Sequence, residues 1–245
     1  MTLLKELVSE TTKVREVTEQ DDSQIKAEEY VSGFNAWLHH HIAPSPPIWN
    51  TAMFEASALT VVSYFLATHG FYEEATAMLR EVLEGFLTRL CWDSKNDQSQ
   101  SIHPLQIIEG KKTIDYWEWE SGRTETYLSP RKIWSILFEN SNIKHYQDTY
   151  QLKQEIDILL NLLNKYVHGR PDSRHSPGKT RSSLINARFN REDFNLWFTR
   201  LRTIYGFISI LSALSYPNLL EMRVADNFMI LDPIATGRVK TILGR

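Results

Sequence analysis

Leu152-Lys153-Gln154-Glu155-Ile156-Asp157-Ile158-Leu159-Leu160-Asn161-Leu162-Leu163-Asn164-Lys165-Tyr166-Val167-His168-Gly169 is the stretch whose reading decides the fold. Apolar residues at 152, 156, 159, 160, 163 and 167 fall at spacings of three and four, the signature of one buried helix face. At roughly 100° per residue, Asn164 and His168 stand one turn apart on the flank of that stripe. A polar pair at the edge of a core, at a helix C-terminus, can meet solvent while packing holds it in place. The residues that follow form a basic loop broken by Pro171 and Pro177.

Outward from that helix the helical period continues in both directions. The spacing predicts helices over 2–16 and 20–41, the second followed by the break Pro44-Ser45-Pro46-Pro47. A long apolar helix from Thr51 to His69 is stopped by Gly70 as its C′ residue, and a second from Glu73 to Trp92 follows at once. So short a turn makes the two an antiparallel hairpin. Shorter helices are expected over 104–121 and 129–140, the latter with Ser129 as N-cap and Pro130 at its first position. After helix 150–168 and a loop over 169–183, Asn190 caps a last long helix to about Ser215. Only Leu184–Ala187 and the tail after Pro217 hint at strand. The fold class is therefore all-α: an N-terminal helical segment (1–47), a helical bundle (48–216) and a mixed C-terminal tail (217–245).

The chain has 245 residues, 42% of them hydrophobic, and seven tryptophans, enough to build a substantial core. A formal net charge of −3 makes the whole no electrostatic magnet for nucleic acid. The distribution says more. Seven basic residues (Lys165, Arg170, Arg174, Lys179, Arg181, Arg188, Arg191) face Asp172 alone between 165 and 191, whereas the first 29 residues hold eight acids and four bases. Arginine forks in that loop are suited to phosphates. A solvated, mobile loop is the other reading of the same charge run. Cys91 is the single cysteine, which excludes an internal disulfide and a cysteine-rich zinc site. The first residues do not form a signal peptide, and the apolar run 56–67 is too short to span a bilayer, so a cytoplasmic protein away from membranes is expected.

The hairpin organisation with Asn164-Lys165-Tyr166-Val167-His168-Gly169 closing a late helix resembles the HEPN superfamily, small helical proteins that include metal-independent ribonucleases of toxin–antitoxin and anti-phage systems. The family's motif is an arginine, four to six residues and a histidine, commonly with asparagine directly after the arginine. Asn164 and His168 match the asparagine and histidine; Leu163 stands where the arginine would. The resemblance implies an HEPN-like bundle, a homodimer, RNA as partner, and an antitoxin or other defence-system protein as a second one. No cofactor and no metal are implied.

Under that resemblance His168 would exchange protons with the ribose 2′-hydroxyl and the leaving 5′-oxygen, since an imidazole titrates near working pH. Asn164 would bind the phosphate or fix the imidazole tautomer, and Tyr166 would stack a base. Lys165, Arg170, Arg174, Lys179 and Arg181 would contact the RNA backbone. The missing cation has candidates elsewhere. Arg80 and Arg89 flank the apolar stripe of helix 73–92, and Gly85, one turn before Arg89, suggests a close helix approach. Arg80 also has Glu84 four residues on, an ordinary surface pair. A buried salt bridge is as ordinary a role for Arg89. His39, His40 and His41 point about 100° apart on a helix and cannot converge on one ion. Trp117 and Trp119 fit a core or interface better than a stacking platform. Beside the endoribonuclease stands an alternative: a catalytically degenerate module for dimerisation, RNA binding or inhibition of a partner.

Overall fold

The computed structural model describes residues 3–41, 47–96, 105–124, 127–167, 189–217 and 233–244. Among these the chain forms ten helices and one small hairpin: α1 (Leu3–Thr18), α2 (Asp22–His41), α3 (Pro47–Thr68), α4 (Tyr72–Ser94), β1 (Gln106–Glu109), β2 (Lys112–Asp115), α5 (Tyr116–Glu120), α6 (Pro130–Leu137), α7 (Ser141–Tyr150), α8 (Leu152–Val167), α9 (Arg191–Ser215) and α10 (Pro233–Ile242). The fold is all-α.

Helices α3 and α4 form the expected hairpin. Gly70 takes φ +82°, a left-handed backbone that costs glycine nothing. That turn lets the Phe71 N–H reach the Leu66 carbonyl at 2.9 Å and the Gly70 N–H reach that of Ala67 at 3.1 Å, which closes the end of α3. Helix α9 packs on the hairpin through a buried polar relay. The Trp197 indole N–H donates to Ser63 Oγ at 2.9 Å, and that hydroxyl donates to the Ala75 carbonyl at 2.6 Å. The Trp49 indole N–H likewise donates to Ser212 Oγ at 3.2 Å. These bonds let tryptophans enter a core without stranding their N–H groups.

The N-terminal segment shares this core: Phe34 of α2 stacks on Tyr205 of α9, centroids 3.7 Å apart. In the tail, α10 buries Val239 and lays the Arg238 guanidinium over the Tyr150 ring at 4.9 Å. The predicted caps are in place. Ser129 Oγ accepts from the Lys132 N–H, and Asn190 Oδ1 from the N–H groups of Glu192 and Asp193.

Two elements differ from the sequence reading. Residues 106–115 are a β-hairpin, not helix, with Ile107 and Ile114 directly paired and buried and Gly110 at φ +62° in its turn. Asp115 then caps the short α5 by accepting from the Trp117 and Glu118 N–H groups. The helix expected over 150–168 is also the second of a pair. Gln151 sits at φ +58°, which ends α7 and starts α8. Its N–H still reaches the Gln147 carbonyl at 2.9 Å. The strand expected at 184–187 lies outside the described residues.

The expectation that no segment reaches membrane-spanning length also needs correction. Ile48–Thr68 is long and apolar enough by length and composition, although the run 56–67 alone is not. One side of this helix is spent inside the bundle, where Trp49, Ala52, Met53, Ala56 and Ala67 are buried. Its other side exposes Phe54, Val61, Val62 and Phe65.

Candidate functional site at the end of helix α8

Helix α8 buries Leu152, Ile156, Leu159 and Leu163, and its last turn brings Asn164, Lys165 and Tyr166 to the bundle edge. Leu163, where the motif arginine of the resemblance would stand, is 0% exposed and belongs to the core. Asn164 is half-buried, with a carbonyl Oδ1 that is shielded from solvent and accepts no hydrogen bond. Lys165 is exposed. His168, Arg170, Arg174, Lys179 and Arg181 lie outside the described residues.

Tyr166 is met by a residue that lies outside the motif. Arg200, on the inner face of α9, is only 7% exposed, and its guanidinium carbon lies 4.5 Å from the centre of the Tyr166 ring. One N–H of Arg200 donates to the Tyr166 hydroxyl at 2.7 Å, and another makes a long bond of 3.4 Å to Thr76 Oγ1 on α4. Its Nε–H is buried without an acceptor. Among the described residues no carboxylate comes within ion-pair distance of this guanidinium. Three helices therefore meet at one buried, uncompensated cation. Sequence did carry a signal for it. Arg200 falls three after Trp197 and four before Ile204, on a stripe otherwise filled by Phe194, Leu201, Tyr205 and Ile208, all buried.

The two arginines singled out on α4 are placed differently. Arg80 lies one turn beyond Thr76, and hence near the Arg200 corner. Its Nε–H donates to Glu84 Oε1 at 3.0 Å in a partly exposed i,i+4 pair. Arg89 is 13 residues from Thr76 along the same helix, about 20 Å away at 1.5 Å per residue. Its side chain is 12% exposed, and its guanidinium pairs with Glu55 of α3 and with Glu120 of α5 at 3.3 Å and covers the Trp119 ring at 5.4 Å, with its Nε–H buried and unpartnered. Arg89 thus serves a separate corner of the bundle. Gly85 borders that corner, because a Cβ there would lie 3.5 Å from both the Arg89 guanidinium and the Glu55 carboxylate. Trp119 packs on Trp92 and Tyr116, while Trp117 is 71% exposed.

The segment that returns to α9 is tied down near the same end of α4. The Asn190 N–H donates to the Tyr72 hydroxyl at 3.1 Å, and burial pushes that phenol up to about 12. The thiol of Cys91 is likewise pushed up to about 12 by burial, which keeps it protonated and poor as a nucleophile. Among the described residues no group of three or more His, Cys, Asp or Glu side chains is arranged to hold a metal ion. The side chains of His39, His40 and His41 fall outside that set. No family model, curated protein or solved structure matches this chain.

Proposed function

We propose that this protein acts on RNA as an HEPN-like, metal-independent endoribonuclease of a prokaryotic defence or toxin–antitoxin system, with the last turn of α8 as its working surface. The observation that carries the reading is the Tyr166–Arg200 stack. A buried guanidinium, with no carboxylate in ion-pair reach among the described residues, is pinned to the residue two before His168 in the chain, and a phosphate-handling imidazole needs a cation. His168 would take the proton from a ribose 2′-hydroxyl. The 2′-oxygen attacks phosphorus, the bond to the 5′-oxygen breaks, and the imidazolium returns the proton to that oxygen. The products are a 2′,3′-cyclic phosphate and a 5′-hydroxyl. The guanidinium would stabilise charge gathering on the phosphoryl oxygens, and Asn164 would orient the imidazole or the phosphate. The positive residues after 168 would hold the strand, and a second copy of the chain would complete the site.

The experiment is cleavage of single-stranded RNA in the presence of EDTA, together with growth arrest on expression, for wild type and His168→Ala. The reading expects cleavage that falls by about 100-fold or more in the variant. Equal cleavage by both proteins removes His168 from the mechanism. A second reading has its own support in Leu163, whose full burial leaves no room for an arginine at the motif position. On that reading the chain is a catalytically degenerate module that binds RNA, dimerises or inhibits a partner. RNA binding by wild type with no cleavage would select it.

A further inference from the structure

We infer that the junction of α4, α8 and α9 is a binding site for a phosphate oxyanion, with Arg200 as its central ligand and Thr76 and Tyr166 as its frame. The inference rests on the RNA reading only for the natural source of the phosphate, and the site itself is argued from the arginine alone. A guanidinium carries five N–H donors, of which Arg200 spends one on Tyr166 and one, at 3.4 Å, on Thr76. Removing a cation from water is costly unless an anion or a full set of acceptors replaces the solvent. The stack on Tyr166 offsets a fraction of that cost, because a ring face attracts a cation far more weakly than a carboxylate does. What remains is a charged group with its Nε–H shielded from water and no partner for it.

The elements around Arg200 fit a tetrahedral oxyanion. Its planar fork can grip two oxygens at once, and the Tyr166 stack fixes the plane of the fork before any ligand arrives. Thr76 Oγ1 is a donor as well as an acceptor and can turn its proton toward a third oxygen. Arg80, one turn along α4 from Thr76, adds a second positive charge on the same helix, paired among the described residues with the partly exposed Glu84. The packing is that of a pre-formed frame. Tyr166 and Thr76 come from two different helices, so the orientation of Arg200 does not depend on its own flexible chain.

The test uses the full chain and inorganic phosphate as the probe, against chloride at matched ionic strength. Thermal unfolding should rise by about 3 °C or more once phosphate exceeds its Kd roughly tenfold. Arg200→Met should abolish that response and melt no lower than wild type in phosphate-free buffer. Arg200→Lys, which keeps the charge and loses the fork, should retain a weakened response, and it carries the test if the methionine variant fails to fold. No phosphate response in wild type, or an undiminished one in both variants, overturns the site. A second arm adds a short single-stranded oligouridylate. If phosphate binds through Arg200 while the oligonucleotide neither competes nor is cut, the site stands and the RNA reading falls. If wild type and Arg200→Met cut RNA alike and phosphate has no effect, this site falls and Arg200 leaves the proposed mechanism, while RNA cleavage that is lost in His168→Ala keeps the RNA reading.

Discussion

Among the described residues two arginines are largely withdrawn from solvent, and the molecule treats them in opposite ways. Arg89, near the C-terminal end of α4, is met by carboxylates from two other elements and covers a tryptophan. Arg200, at the far end of the same hairpin, is more deeply buried and among the described residues meets a phenol and a distant hydroxyl. The first arrangement is closed in charge: two carboxylates balance the guanidinium, although its Nε–H and Glu120 Oε2 are buried without a hydrogen-bond partner. The second is open, since among the described residues its charge has no counterpart. Burial alone therefore does not separate a structural arginine from a functional one. The presence or absence of a counter-charge does.

A third buried charge gives this comparison its most forceful test. Asp93, 6% exposed at the end of α4, accepts from the Trp49 N–H, and its other oxygen has no partner. Burial pushes its carboxyl up to about 7, against the partial pull of that N–H. The sign follows from linkage. A folded-state value raised above the unfolded 3.8 means the contribution is fully present below about pH 4 and is lost as pH rises through 7. Asp93→Asn keeps an acceptor for Trp49 and removes the charge. Urea unfolding should show the variant more stable than wild type at pH 8, by on the order of 4 kcal/mol. The two should converge toward pH 4. A constant gap between the two curves across that range would mean that Asp93 is ionised in both states and is not uncompensated.

Next in size is the closed corner. Arg89→Met takes the counter-charge from Glu120, which already has one oxygen buried without a partner, while Glu55 falls back on solvent. Chemical unfolding should report a loss of about 3 kcal/mol, as for other buried pairs broken on one side. Arg200→Met is expected to cost nothing by the same measurement. Equal losses for the two substitutions would erase the distinction between the corners.

How much of this was readable in advance depends on whether the information is local. The stripe of α8, the caps Ser129 and Asn190, and the Gly70 stop are written within a few residues of where they act, and the structure places them as read. Gln151 was not readable. Its left-handed turn has no glycine or proline to announce it, and the period of apolar residues runs on past it. The β-hairpin failed for a related reason, because strands of four residues offer only one buried isoleucine each, too little alternation to outweigh a helical context. Arg200 lies on α9, away from the α8 motif and from the α4 stripe that carries the candidate cations Arg80 and Arg89. An arginine on an apolar stripe was visible in the sequence. That it lacks a carboxylate was not, since the partners that decide the matter come from helices distant in sequence. By the same token, the pairing of Arg89 with Glu55 and Glu120 could be named as ordinary but not located.

Tyr166→Phe probes the open corner from the other side. The ring that stacks on the guanidinium stays, while the hydroxyl that accepts at 2.7 Å is lost, adding another unsatisfied charged N–H. A loss of about 2 kcal/mol in urea unfolding is expected, the usual range for a bond to a charged group. Phosphate, if it occupies the site, should recover part of that loss by offering the stranded N–H an oxygen. A variant as stable as wild type would mean that water already reaches this arginine, and its contrast with Arg89 would shrink to one of exposure.

The smallest effect returns to Gly85. A methyl group there would touch the Arg89–Glu55 pair at 3.5 Å, ordinary van der Waals contact and no clash, with a helical backbone that alanine prefers. Helix propensity favours the substitution by about 1 kcal/mol. Shielding the ion pair from water works against part of that gain, because Glu55 keeps much of its side chain in solvent. Gly85→Ala should therefore stabilise by roughly 0.5 kcal/mol, read as a small rise in unfolding midpoint. If it destabilises instead, the Arg89 corner depends on the open space beside it, and the closed arrangement is held less by its charges than by the water that glycine admits.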